Sequence, residues 1–375
     1  MNKIYLALKK CEELLPLPIE KALDKIRLYS SYFIWHFFST HRKYEMDYSK
    51  VKNIIIMNSV ALGDNLIRTA TVEAIARFHG KVDILIPNEQ TKRVYEGNPY
   101  VKNIYTIDNP PQLKNYQLAV VINYDQRFMD LIKESDRIKE INTIGLPYVN
   151  PRKIFRINKV LFPKPYLNQM DNMLRLAKEV GSDLSHPIKT SFYLTPEDEL
   201  NANKYLNEEG IKDFIVLNFG ASNAHLEYSS RWWPDENWKA VIEYTLKKYP
   251  DMSIIINSGN ARTDLFFKER VHYFNGDLGT LAALIKQAKM VVQLNTGVGH
   301  LAAAIGTPVI TLIGFTDAGW APWTRDGKSK VLSHPEVCTN CNNSYCKKKN
   351  RKCMTAITPE EVVVAMDKIL EVKNE

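Results

Sequence analysis

The 375-residue sequence predicts an α/β protein made of two consecutive doubly wound parallel-sheet domains. Three observations carry this. From residue 51 onward, short apolar runs rich in Ile and Val alternate with segments of helical character. Those runs are apolar on both faces, as strands of a helix-covered parallel sheet must be. The alternation occurs twice, on either side of a connector, in a chain longer than one ordinary core.

The elements follow in order. Residues 1–50 read as a helical extension, in which "IRLYSSYFIWHFFSTHRK" sets six aromatics between basic flanks. Such a segment either lies in a membrane interface or packs on the protein's own surface. Residues 51–190 form the first domain, with strands "VKNIIIMN", "KVDILIPN", "VKNIYTID" and "YQLAVVIN" and a helix within "SVALGDNLIRTATVEAIARF". In the connector "SHPIKTSFYLTPEDE", Thr195-Pro196 supplies a helix N-cap and first turn. Residues 191–357 form the second domain, with strands "DFIVLNFG", "MSIIINSG", "MVVQLN" and "PVITLIG". An amphipathic helix in 358–375 closes the chain. Two such domains place a ligand at the carboxyl ends of the strands.

Composition narrows the class. With 45% hydrophobic and 25% charged residues, a disordered chain is excluded. A net charge of +8 favours acidic partners: phosphorylated glycans, anionic lipid surfaces or nucleic acid. No apolar run approaches the ~20 residues that cross a bilayer, and no secretory signal is apparent, so the cytoplasm is the expected compartment.

The stretch "VVQLNTGVGHLAAAIGTPVITLIG" (291–314) interrupts a strand with Asn295-Thr296-Gly297-Val298-Gly299-His300 before an Ala-rich helix. Unpaired N–H groups and the dipole at such a helix start favour an anion, typically phosphate. Gly297 and Gly299 are expected to let a ligand approach the backbone. The plain structural alternative is a tight strand-to-helix turn, with His300 a hydrogen-bonded helix-start residue.

Read with "SVALGDNLIRTATVEAI" (59–75) and "VLNFGAS…SSRWWPDENW" (216–238), this stretch, extended to "GFTD" at 314–317, completes three ordered motifs. Over residues 51–370 they resemble glycosyltransferase family 9, the heptosyltransferases of bacterial lipopolysaccharide assembly. The resemblance implies a GT-B fold, an inverting mechanism and usually an ADP-heptose donor. It implies that Asp64 is the general base for the acceptor hydroxyl, where the structural alternative is a helix N-cap. Gly63 would then supply the backbone freedom that aims it.

Arg231 aligns with a basic residue that neutralises the departing diphosphate; the alternative is an Arg stacked on Trp232 or Trp233. Ser222 is placed on a phosphate oxygen and Asp264 on the nucleotide ribose. Thr296 to Gly299 supply backbone donors to the pyrophosphate. With those amides and Arg231, no Mg²⁺ is required. The family usually has Asp where this chain has Asn295, which keeps hydrogen bonding but loses the charge and leaves the donor sugar open.

Cys338, Cys341, Cys346 and Cys353 are spaced C-x2-C-x4-C-x6-C. Four thiolates so placed can surround a structural zinc, or iron, with the Lys347–Lys352 run offsetting their charge. Four reduced thiols or a disulfide are the alternatives. A rival reading makes this basic knuckle a nucleic-acid grip, disfavoured because no known module surrounds it. A second rival, motivated by Asn295, is a non-catalytic nucleotide-sugar or glycan-binding protein. The basic stretch 151–166 and the N-terminal helices are expected to meet an anionic membrane or a phosphorylated glycan or glycolipid acceptor, which would put the protein at the inner face of the cytoplasmic membrane; the alternative for 151–166 is a solvated loop packed by Phe155 and Phe162.

Overall fold

The computed structural model describes residues 46–59, 61–122, 126–137, 142–145, 159–161, 164, 167–220, 229–257, 269–314, 316, 318–324, 329–338, 341 and 345–371. Residues 1–45 of the expected N-terminal extension, Ser222, Asp264 and most of the basic stretch 151–166 lie outside them.

The first part of the chain runs β1 Ile54–Met57, α1 Leu62–His79, β2 Val82–Ile86, β3 Val101–Thr106, β4 Leu118–Val121 and α2 Gln126–Arg137. It continues through β5 Asn142–Gly145, β6 Lys159–Val160, α3 Gln169–Glu179 and α4 Pro196–Glu208. Then come β7 Asp213–Asn218, α5 Asp235–Lys248, β8 Met252–Ile256, β9 Val271–Tyr273, α6 Leu278–Gln287 and β10 Val291–Leu294. The last elements are α7 Gly297–Ile305, β11 Val309–Leu312, β12 Lys330–Leu332, α8 Lys352–Thr355 and α9 Pro359–Glu371. The chain groups into two compact units, one drawn from Met1–Met57 and Gln112–Pro163, the other from Asn58–Pro111 and Lys164–Glu375.

In the first unit the strands run in the order β1-β4-β5-β6, all parallel. Ile54 pairs with Leu118 and Met57 with Val121, and every residue of β1 and β4 is buried. That is why these two runs show no alternation in sequence. Helix α2 follows β4 and buries Phe128, Met129 and Ile132. β5 and β6 fall where the sequence carries no strand signal, because β5 (Asn142–Gly145) has one large apolar residue, Ile144, and β6 is only two residues long.

In the second unit β2 and β3 pair in parallel, and six further strands form a sheet of order β12-β11-β10-β7-β8-β9, again all parallel. The core lies on alternate positions of that sheet: Ile215 and Leu217, Ile254 and Ile256, Val292 and Leu294, Ile310 and Leu312. Against them pack Trp233 and Trp238, edge to face at 4.9 Å between ring centroids, with α5 and α9. Tyr244 and Tyr249 donate to Asp367 at 2.6 and 2.7 Å, and Lys248 pairs with it at 2.6 Å, tying α5 to α9.

Helix α1 is buried at every residue from Asn65 to Ala76, so its polar residues are enclosed as well as its apolar ones. Thr69 Oγ1 donates to the Leu66 carbonyl at 2.7 Å and accepts from Ser191 N at 2.9 Å, which seats the 188–192 strap on the helix. The cap expected at Thr195 is present: its hydroxyl accepts from Asp198 N at 3.2 Å, and Thr195 N donates back to Asp198 at 2.7 Å. Among the described residues, no helix is long and apolar enough to cross a membrane.

Candidate active site

The order of the six-stranded sheet reverses direction between β7 and β10, and a doubly wound sheet opens a crevice at the carboxyl ends of such a pair. β7 ends at Asn218 and β10 at Leu294, and Asn218 Nδ2 donates to Thr296 Oγ1 at 3.0 Å across that point. Thr296 is the N-cap of α7. Its hydroxyl accepts from Val298 N at 3.3 Å and donates to Gln293 Oε1 at 2.9 Å, while its own N–H reaches the same oxygen at 3.0 Å. Gln293 is fully buried and donates to Thr311 at 2.9 Å. The turn is therefore held from below by side chains. In the first turn of α7 only Val298 N meets the cap, and the amides of Gly297 and Gly299 stand where a helix has no internal acceptor.

The glycines also serve a packing purpose. A Cβ on Gly299 would sit 2.1 Å from Gln293 Nε2, and one on Gly297 would be 3.0 Å from the Leu62 side chain. They make room for neighbouring side chains. Gly63 likewise lies in ordinary helix and supplies no unusual backbone angle; a Cβ there would be 2.8 Å from His300 Cδ2. Gly63 and Gly297 thus let the starts of α1 and α7 meet closely. Of Ala302, Ala303 and Ala304, Ala302 is the one fully enclosed.

Asp64 stands at the third position of α1, not at its N-cap, which is Ala61 and carries no side-chain bond. Asn65 closes the turn instead, donating to the Ser59 and Ala61 carbonyls at 2.7 and 2.8 Å. That releases the Asp64 carboxylate, which accepts from Ser59 Oγ at 3.2 Å and lies 3.7 Å from Arg68 Nη2. The Asp64 side chain is 32% exposed and that of Arg68 only 6%. A fixed positive charge is buried behind an acid that still reaches solvent.

Two further groups lie within electrostatic reach of Asp64. Burial pushes the His300 imidazole down to about 4, with Asp64 opposing the shift, so the ring is neutral near pH 7. Burial also lowers the Arg231 guanidinium below its ordinary value, again opposed by Asp64. The starts of α1 and α7 and the 229–233 turn therefore converge on one acid, one neutral imidazole and one guanidinium. Trp232 is covered by a different arginine from the one offered as the alternative: the Arg351 guanidinium lies 3.9 Å from its ring centroid. Asn295 donates to Thr316 Oγ1 at 3.0 Å. Ser59, Arg68, Asn218, Gln293 and Thr316 all shape the site without having been expected from the sequence. The one available signal was a polar residue inside or ending an apolar strand, as in "VLN" and "VVQL".

The four cysteines occupy a knuckle against the second core, with Cys353 buried and Cys338 packed on the same cluster. Burial pushes the Cys353 thiol up to about 11, and nearby Cys338, Cys341 and Cys346 act in the same direction. Cys346 Sγ accepts from Arg351 N at 3.4 Å. As they stand, no three His, Cys, Asp or Glu side chains among the described residues form a set that could hold an ion.

Comparison with known proteins adds a common thread. Residues 137–352, more than half of the chain, match the family described as Glycosyltransferase family 9 (heptosyltransferase). A lipopolysaccharide heptosyltransferase 3 of Escherichia coli is 21% identical over 344 residues, covering 82% of this chain and 96% of that protein. The crystal structure of the glycosyl transferase family 9 protein from Veillonella parvula DSM 2008 aligns with a TM-score of 0.70 at 17% identity, over 88% of this chain and 99% of its own. E. coli ADP-heptose lps heptosyltransferase II aligns with a TM-score of 0.66 at 14% identity, over 86% and 100%. At such identities the structures speak for a shared fold, the GT-B fold expected above.

Proposed function

The chain belongs to glycosyltransferase family 9 and is a glycosyltransferase, and from that premise we propose that it transfers a heptose from ADP-heptose, with inversion, to a lipopolysaccharide-core or related bacterial glycan. The observation that carries this reading is the convergence of Asp64, His300 and Arg231 beside the start of α7, at the point where the strand order reverses. The relatives named for heptosyl transfer and for ADP-heptose support the choice of donor.

In this reading residues 191–357 take the nucleotide sugar and residues 51–190 the acceptor. Asp64 accepts the proton of the acceptor hydroxyl as that oxygen attacks the anomeric carbon. The bond from that carbon to the diphosphate oxygen breaks on the opposite face, and ADP departs with the bonding pair. The Gly297 and Gly299 amides, the dipole of α7 and Arg231 receive the charge that develops there. His300, being neutral, offers hydrogen bonding without adding charge. Ser222 and Asp264 are assigned to a phosphate oxygen and the ribose. Ser59 orients the Asp64 carboxylate through its 3.2 Å bond.

Two readings accompany this one. Four thiols on one short knuckle, one of them accepting a backbone N–H, would become a donor set for a structural zinc or iron only if drawn closer together than they stand. Metal analysis of the purified chain checks this, and a stoichiometry near zero would remove it. The acceptor's lipid anchorage and the +8 charge favour work at the cytoplasmic face of the membrane. Sedimentation with vesicles tests that, and binding indifferent to anionic lipid would count against it.

The decisive experiment is a thermal-shift and calorimetric screen of nucleoside diphosphates and their sugars, followed by a transfer assay with the stabilising donor. Selective stabilisation by ADP and ADP-heptose is expected. A preference for UDP or GDP species would overturn the donor assignment.

A further inference from the structure

The 229–233 turn that carries Arg231 has little regular structure of its own: Trp232 N returns to the Ser229 carbonyl at 3.2 Å and Arg231 N reaches Ser229 Oγ at 3.3 Å. Its anchors come from far along the chain. Ser229, two residues before Arg231, forms an isolated antiparallel bridge with Tyr345. Trp232, the residue after it, is covered by the Arg351 guanidinium at 3.9 Å. Trp233, fully buried, donates from Nε1 to the Ile357 carbonyl at 2.9 Å and shares a core with Cys353 and Met354. Every one of these partners lies in or just beyond the cysteine knuckle.

Within the knuckle, residues 346–351 close on themselves. Lys349 N donates to the Cys346 carbonyl at 2.9 Å and Arg351 N to Cys346 Sγ at 3.4 Å. Lys349 and Arg351 both adopt the left-handed region, at φ 54° and 49°, a conformation that non-glycine residues hold only when their surroundings fix it. Met354 Sδ and Cys353 Sγ would lie 2.5 and 2.9 Å from a Cβ on Gly314, so the loop after β11 presses on the other side.

We propose that the cysteine knuckle is the brace that sets the position of Arg231, with Arg351 as its positioning residue, so that a change in the knuckle is felt as a change in the grip on the nucleotide diphosphate. This rests on the reading of Arg231 given above. A planar guanidinium over the face of an indole makes a broader and better defined contact than a flexible ammonium at the surface does. The bridge at Ser229 and the bond from Trp233 then fix the turn on either side of Arg231.

A double-mutant cycle on the full chain, read by calorimetric ADP affinity, tests the coupling. Arg351→Ala is expected to weaken ADP binding about 5-fold when Arg231 is present and less than about 2-fold in an Arg231→Ala background. Arg351→Lys, which keeps the charge over the ring, should recover part of the loss. Equal weakening in both backgrounds would overturn the brace. If Arg231→Ala alone leaves ADP affinity unchanged, the failure belongs to the assignment of Arg231 instead. Should Arg351→Ala not fold, Trp232→Leu removes the same stack from the other side and enters the same cycle with the same expected outcomes.

Discussion

The starts of α1 and α7 meet through Gly63 and Gly297, yet they are finished in opposite ways. At α7 the cap is conventional: Thr296 bonds Val298, Gln293 and Asn218 hold Thr296, and Thr311 holds Gln293. Bonded side chains hold the turn, while the first amides of the helix have no acceptor within the helix itself. At α1 the cap residue is Ala61, and the polar work is done one turn later by Asn65. That leaves Asp64, among the described residues, hydrogen-bonded by Ser59 at 3.2 Å and facing the buried Arg68 at 3.7 Å. The contrast teaches a division of labour. A rigid, neutral turn suits binding of a diphosphate, whereas a loosely held carboxylate backed by a buried cation suits proton transfer.

The sharpest way to break the comparison is to remove the acid. Asp64→Asn should lower transfer by about 10²–10⁴-fold, the usual weight of a general base, with ADP affinity close to wild type. Steady-state turnover together with calorimetry checks it, and unchanged turnover would take Asp64 out of the chemistry.

The next test exploits the neutral ring on the α7 side. His300 is held at about 4 when folded, against an ordinary value of 6.5. Between those values the unfolded chain binds a proton that the folded chain does not. The contribution is therefore fully present above about pH 6.5 and is lost as pH falls through about 4, to an extent on the order of 3 kcal/mol. Urea midpoints measured across that window should show the decline, and His300→Asn should flatten it. An identical slope in the variant would mean the ring is not buried as described.

A smaller effect follows from the contact between the helices. Gly63→Ala puts a methyl 2.8 Å from His300 Cδ2 and should cost roughly 1–3 kcal/mol by overpacking. Turnover should fall more than nucleotide affinity, because Asp64 is the adjacent residue. The smallest expected change is Thr316→Val, which deletes the 3.0 Å bond from Asn295 for about 1 kcal/mol. It sharpens the assignment of Asn295: altered donor affinity would place that amide at the sugar, and unaltered affinity would leave it a prop for its loop.

Several elements were legible because their physics is local. β1, β4, β7, β8, β10 and β11 are buried on both faces, so their apolar runs could not be mistaken for alternating strands. The Thr195 capping box needs only neighbouring residues and appeared where expected. The edge strands β6, β9 and β12, two or three residues each and only partly buried, left no such trace. Asp64, Arg231 and the 295–300 turn were found by motif, but the reasons for their glycines were not, since a glycine needed for a distant contact looks the same in sequence as one needed for a turn.

The sequence by itself determined the paired α/β architecture, the family and the residue types of the site, because strand hydrophobicity, caps and motifs are written in short windows of chain. Only the tertiary structure decided that Gly63 makes room for His300, that Gln293 and Asn218 hold the turn, and that Arg351 rather than Arg231 covers Trp232. Apart from the local bond of Gln293 to Thr296, those pairings join residues from tens to hundreds of positions apart, and which of many compatible side chains come together is settled by packing, where two atoms cannot share one volume.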